Sequence, residues 1–234
     1  MQNEIEKREL RAAGKRIELF CAPQPCAPLI VYHAAQGESS VLWDLCRAPG
    51  VPRGSLAVVN DMNWNEEMSP WPIPPLRPQD PPFAGGADAY LARLTGEILP
   101  AVYATLGAAP SRQALAGYSL AGLFAVYAAY QTDAFGQIAS ASGSLWYPGL
   151  LDFARAHRMN GAVKSAYFSL GDKESRTRNA MLAPVEDNTR ALVQIVQEAG
   201  VATTFESNPG NHFRDAAPRM ARGIRWLLAQ NGDR

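Results

Sequence analysis

The stretch Gln113-Ala-Leu-Ala-Gly-Tyr-Ser-Leu-Ala-Gly-Leu-Phe-Ala-Val-Tyr-Ala-Ala-Tyr130 reads as a buried strand, a sharp turn and a buried helix, with Ser119 at the turn. A serine at such a corner is lifted above the sheet on strained backbone, and small residues two before and two after it let strand and helix approach closely. Gly117 supplies the first small residue. Ala121 stands at the second, where glycine is usual, and Gly122 follows at once. The five-residue pattern alone is common, and a serine before a helix can simply be an N-cap. The strand before Ser119 and the charge-free helix after it favour a nucleophile elbow, so Ser119 is expected to be a nucleophile.

In this arrangement the acid and the histidine follow the serine in sequence. His33 precedes Ser119, and His157 falls in an expected surface helix between Arg155 and Arg158. That leaves His212, in the turn-rich loop Asn208-Pro-Gly-Asn-His-Phe213 between the last strand and the last helix. For the acid, Tyr167-Phe-Ser-Leu-Gly-Asp-Lys-Glu174 is a strand ending in glycine with two carboxylates after it. A G-x-x-D/E count from Gly171 selects Glu174, with Asp172 as the alternative and Asp215 a distant third. The oxyanion of an attacked carbonyl needs two N–H donors, normally the one after the nucleophile and one from the loop after an early strand. Those are Leu120 and, in His33-Ala-Ala-Gln-Gly37, Ala35, with Ala34 close behind.

Farther out, short β-rich runs alternate with segments of helical period, the pattern of an α/β layered fold with a mostly parallel sheet. Strands are expected at Leu29–Tyr32, Ser55–Val59, Phe135–Ala141, Ala166–Leu170 and Ala202–Glu206. Helices are expected at Asp88–Leu106, with Pro100 as a point of kinking, at Pro184–Ala199 and at Pro218–Gln230. Ser69 to Pro82 carries seven of the 18 prolines, so it forms neither helix nor central strand. Residues 60–86 are therefore expected as a Pro/Trp-rich surface excursion, either functional or a strap over a sheet edge.

The 234 residues fit a single domain, 1–234, with a sizeable core. The 22 basic and 22 acidic residues cancel, and no dense Lys/Arg run suggests nucleic acid as a partner. The N-terminus lacks the pattern of a signal peptide, and no apolar run has the length of a membrane span. A soluble, cytoplasmic location follows as an expectation; the oligomeric state is left open. Cys21, Cys26 and Cys46 have neither disulfide-framework nor zinc spacing. The chemistry read from Ser119 and His212 requires no metal or other cofactor.

With these residues placed, most of the sequence resembles the Putative esterase family of α/β-hydrolases, which includes enterochelin (siderophore trilactone) esterases. The resemblance rests on Gly117-Tyr-Ser-Leu-Ala-Gly-Leu-Phe124, similar to the family's GHSLGGLF, on Ser69-Pro-Trp71, and on Gly85-Gly-Ala-Asp-Ala-Tyr-Leu91 with Glu97-Ile-Leu-Pro100. It extends to Ser142-Gly-Ser-Leu-Trp-Tyr147, Leu170-Gly-Asp-Lys-Glu174 and Gly210-Asn-His212. It implies a single-domain α/β-hydrolase fold and hydrolysis of a small-molecule carboxylic ester through an acyl-enzyme, carried by Ser119, His212 and an acid of the Asp172/Glu174 pair. Tyr118 and Ala121 depart from the family's histidine and glycine. Some relatives work with a serine–histidine dyad, which leaves the acid open. No basic cluster matches an anionic catecholate; Trp64, Trp71, Tyr118, Trp146 and Tyr147 are substrate-binding candidates, with core packing as the competing role. Acyl transfer on the same residues, or a non-catalytic binding protein that keeps the pocket, are the alternative functions.

Overall fold

The computed structural model describes residues 6–34, 39–47, 50 and 52–230. The strands are β1 (Glu6–Ala12), β2 (Lys15–Cys21), β3 (Leu29–His33), β4 (Ser55–Val59), β5 (Pro72–Ile73), β6 (Phe83–Ala84), β7 (Gln113–Tyr118), β8 (Gln137–Ala141), β9 (Ser165–Gly171) and β10 (Ala202–Asn208). The helices are α1 (Ser39–Cys46), α2 (Trp64–Glu67), α3 (Ala87–Arg93), α4 (Leu99–Leu106), α5 (Leu120–Gln131), α6 (Leu150–Ala156), α7 (Val185–Glu198) and α8 (Ala216–Ala229). Eight strands form one sheet in the order β1-β2-β4-β3-β7-β8-β9-β10. From β4 to β10 neighbouring strands pair parallel, whereas β2 runs antiparallel to both β1 and β4.

Strand alternation divides the core between two faces. Leu29 and Val31 of β3 enter the larger cluster, packed with α3, α4, α5 and α7, while Ile30 and Tyr32 enter the cluster covered by α1 and α8. The strands expected from sequence lie in this sheet, and so do β1 and β2, which the sequence reading missed. The reason is visible in β1: EKRELRA is an edge strand with little buried surface, and charge is what keeps such an edge from pairing further. Its hairpin turns at Ala13 and Gly14, both at positive φ (49° and 74°), the geometry of a type I′ turn.

The helix expected at 88–106 is continuous but passes through a π turn at Leu94–Ile98, and α4 follows directly with Pro100, which has no N–H to give to the preceding turn. The proline-rich excursion is partly buried. Met68 and Ser69 are fully inaccessible, β5 and β6 form their own small sheet, and Trp71 packs edge-on against Tyr127 and Tyr147. Helix α6 ends just before His157, whose ring stacks on Phe153. Among the described residues no helix is long and apolar enough to cross a membrane.

Candidate active site

Ser119, His212 and the carboxylates Asp172 and Glu174 all follow the C-terminal ends of parallel strands. Ser119 sits between β7 and α5 at φ 58° and ψ −123°, positive-φ backbone that a serine adopts only under strain. Tight packing holds it there. A Cβ on Gly117 would lie 2.2 Å from the carbonyl carbon and oxygen of Ala121, and one on Gly122 would lie 2.8 Å from Ser140 Oγ and 3.0 Å from Gly143 Cα. The positions that demand glycine are thus 117 and 122, and the methyl of Ala121 is accommodated in the core. The Ser119 carbonyl accepts the Ser144 N–H at 2.9 Å, fixing the turn to the loop after β8.

His212 Nε2 lies 3.0 Å from Ser119 Oγ, and His212 Nδ1 lies 2.8 Å from Glu174 Oε2. Burial pushes the Glu174 carboxyl up, but hydrogen bonds from His212, Ser142 and the Gly171 N–H outweigh it and hold the group below the usual carboxylate range. An ionised carboxylate only accepts, so Nδ1 carries the proton and Nε2 is left to accept from the Ser119 hydroxyl. The second oxygen of Glu174 accepts from Ser142 Oγ and the Gly171 N–H, each at 2.7 Å, and from Arg219 Nη1 at 3.2 Å.

Asp172 does not take this place. Its Oδ1 accepts the Gly210 N–H at 2.7 Å, and Lys173 N–H donates to the Gly210 carbonyl at 3.1 Å, so the end of β9 fastens the loop that carries His212. Asp215 lies exposed at the start of α8, 3.5 Å from Arg214 Nε. Tyr118, read as a substrate contact, donates its hydroxyl to the His212 carbonyl at 2.6 Å and sets its ring beside the imidazole. Trp71 and Tyr147 interlock, Tyr147 hydroxyl donating to the Trp71 carbonyl and Trp71 Nε1 to the Pro148 carbonyl. Trp146 and Tyr147 also line a cleft of about 360 Å³ between the loop after β8 and residues 180–188. Trp64 opens α2 and packs on the core.

Leu120 is the first residue of α5, where a helix leaves N–H groups without an internal acceptor. Ala34 N–H is engaged by the Val59 carbonyl at 3.1 Å, which removes it as a free donor. Ala35 lies outside the described residues. At the end of β3, His33 is wholly buried, its Nε2 2.7 Å from the Tyr90 hydroxyl, and burial, helped by the charge of Lys15, lowers it to about 3.

Arg219 is the residue the sequence reading overlooked. It is 1% exposed, and it donates to Glu174, to Ser142 Oγ at 3.1 Å and to the Pro209 carbonyl at 3.0 Å. Its signal was present: Arg219 falls on the stripe shared by Met220, Gly223, Ile224 and Leu227, a charge on the apolar face of an amphipathic helix.

Comparison with known proteins identifies the family and the fold. The model of the Putative esterase family matches residues 39–223. The protein is 22% identical over 204 residues to the uncharacterized protein YbbA of Bacillus subtilis, a match spanning 84% of this sequence and 82% of that one. It superposes on the siderophore hydrolase EstB of Aspergillus nidulans with a TM-score of 0.76 at 20% identity, over 97% of its own length and 95% of the other's. An IroE-like serine hydrolase from Shewanella oneidensis gives a TM-score of 0.76 at 17% identity over 96% and 80%. At such identities the solved structures share the fold. The family match spans most of the sequence: the protein belongs to the Putative esterase family, an α/β-hydrolase whose class of reaction is ester hydrolysis.

Proposed function

We propose that the protein cleaves a small-molecule carboxylic ester through an acyl-enzyme on Ser119, with His212 as general base and Glu174 as the acid that orients it. The observation that carries this reading is the unbroken relay from Ser119 Oγ through both ring nitrogens of His212 to Glu174, at 3.0 and 2.8 Å. As Ser119 Oγ bonds to the ester carbonyl carbon, its proton passes to His212 Nε2, and ionised Glu174 stabilises the imidazolium. The Leu120 N–H and a second donor from the loop after β3, assigned to Ala35, hold the oxyanion. His212 gives the proton to the departing alkoxide oxygen, releasing the alcohol. Water then attacks the acyl carbon with His212 again as base, freeing the acid and restoring Ser119.

Labelling by a fluorophosphonate probe, together with turnover of p-nitrophenyl butyrate, tests the assignment. Both are expected in the wild type and neither in Ser119→Ala. A folded wild type that is neither labelled nor active overturns it, and turnover that survives in Ser119→Ala overturns the nucleophile. If an added alcohol captures the acyl group faster than water, the same site is a transferase.

A further inference from the structure

Two large apolar side chains among the described residues stand exposed, and one of them, Phe213, adjoins the proposed base. A single exposed phenylalanine is unremarkable on most surfaces. This one is 86% accessible while its ring meets the His212 imidazole edge to face, at 5.3 Å between centroids and 89° between planes. Asn211 Oδ1 accepts the Phe213 N–H at 3.1 Å, which holds the backbone that presents the ring. Elsewhere near the site the aromatics are committed. Tyr118 flanks the imidazole with its hydroxyl tied to the His212 carbonyl, and Trp71 and Tyr147 are bound to each other.

Reaction geometry gives Phe213 a use. The proton that His212 Nε2 delivers goes to the oxygen of the departing alcohol, and that oxygen must come within hydrogen-bond reach, about 3 Å, of Nε2. The alcohol carbon bonded to that oxygen is therefore brought beside the imidazole, whose own centre lies 5.3 Å from the centre of the Phe213 ring. The acyl carbon, by contrast, is fixed at Ser119 Oγ. We propose that Phe213 is the wall of the leaving-alcohol subsite, and that the preferred substrates are esters whose alcohol portion carries a flat aromatic group able to cover its ring. This rests on the assignment of Ser119 and His212 made above. The stacking partner recovers apolar surface that the free protein leaves in water.

Two butyrate esters whose alcohols have the same first two carbons, naphthylethyl butyrate and ethyl butyrate, test it on the full-length protein and its Phe213→Ala and Phe213→Leu variants. The ratio of kcat/KM between the two is expected to fall about three- to tenfold in Phe213→Ala, the scale of one aromatic contact, and less in Phe213→Leu. Moving the ring to the acyl side, with ethyl naphthylacetate against ethyl acetate, should leave that second ratio where it is in the wild type. Naphthylethanol should slow fluorophosphonate labelling of the wild type more than that of Phe213→Ala. An unchanged alcohol-side ratio, or a change on the acyl side instead, overturns the subsite while leaving the esterase assignment standing. A wild type that is not labelled at all overturns that assignment, and the subsite with it.

Discussion

Arg219 Nη1 lies 3.2 Å from Glu174 Oε1 inside the protein, with the two side chains 1% and 4% exposed. Glu174 thus bonds the imidazole through one oxygen and a guanidinium through the other. Removing one member of a buried pair strands the other without its counter-charge, and that is more costly than replacing both. Arg219→Met is expected to destabilise the fold by about 3–5 kcal/mol in urea unfolding. Arg219→Lys should recover only part of this, because an ammonium cannot reproduce the fork that reaches both Glu174 and the Pro209 carbonyl. Arg219→Met with Glu174→Gln should be more stable than Arg219→Met alone.

The two carboxylates after β9 should separate kinetically. Glu174→Gln keeps the shape but loses the charge that fixes the His212 tautomer, and a fall in kcat of about 10³–10⁴-fold is expected. Asp172→Asn weakens a tether to Gly210 N–H and leaves the imidazole's partner in place. It should lower the thermal midpoint while kcat falls less than about tenfold, the loss being one charge-assisted hydrogen bond. Steady-state kinetics and thermal unfolding of both variants check the assignment; the reverse order would make Asp172 the acid.

Acid should unfold this protein through at least two groups. His33 is held neutral in the fold at about 3 but takes a proton near 6.5 when unfolded, so the unfolded state binds more protons between those values. Its share of stability is complete above about pH 6.5 and declines as pH falls toward 3. Glu174 is lowered in the fold, so its contribution is present above the unfolded carboxylate value and is lost as pH falls through the folded one. Both act in the same direction. The loss of stability between pH 7 and pH 4.5, from urea midpoints, should be smaller in His33→Gln than in the wild type.

The elbow makes opposite demands at its two small residues. A methyl on Gly117 would meet the Ala121 carbonyl at 2.2 Å, and backbone atoms have no rotamer to escape into. Gly117→Ala should therefore displace the Ser119 turn, with loss of probe labelling or of the fold itself. Ala121→Gly restores the commoner motif but removes a buried methyl and adds helical freedom, so it should cost about 1 kcal/mol and retain labelling. Soluble yield, urea unfolding and labelling of the two variants decide between these outcomes.

What the sequence disclosed follows from where its signals are local. Ser119, His212 and the carboxylate pair are each marked by a strand end and a glycine beside them, and the hydrophobic runs of β3, β4 and β7 are those of strands buried on both faces. The choice between Glu174 and Asp172 was not local, because both leave the same strand end and only the path of the distant Pro209–His212 loop tells them apart. Strand β1 was hidden by the charges suited to a sheet edge. Arg219 was hidden by a general expectation that arginine faces water, and its polar partners come from the turn after β9, the loop after β8 and the histidine loop. The aromatic residues were legible as a group, but composition alone could not separate Phe213, which faces solvent, from Trp71 and Tyr147, which face one another.

Four tethers on the histidine loop grip its backbone: Arg219 holds the Pro209 carbonyl, Asp172 the Gly210 N–H, Lys173 the Gly210 carbonyl and Tyr118 the His212 carbonyl. None of them depends on the imidazole. A variant with His212 replaced by alanine should keep its cradle and its serine while lacking the proposed base, and so should serve as a trap in which an uncleaved ester can be captured from a mixture and identified by mass.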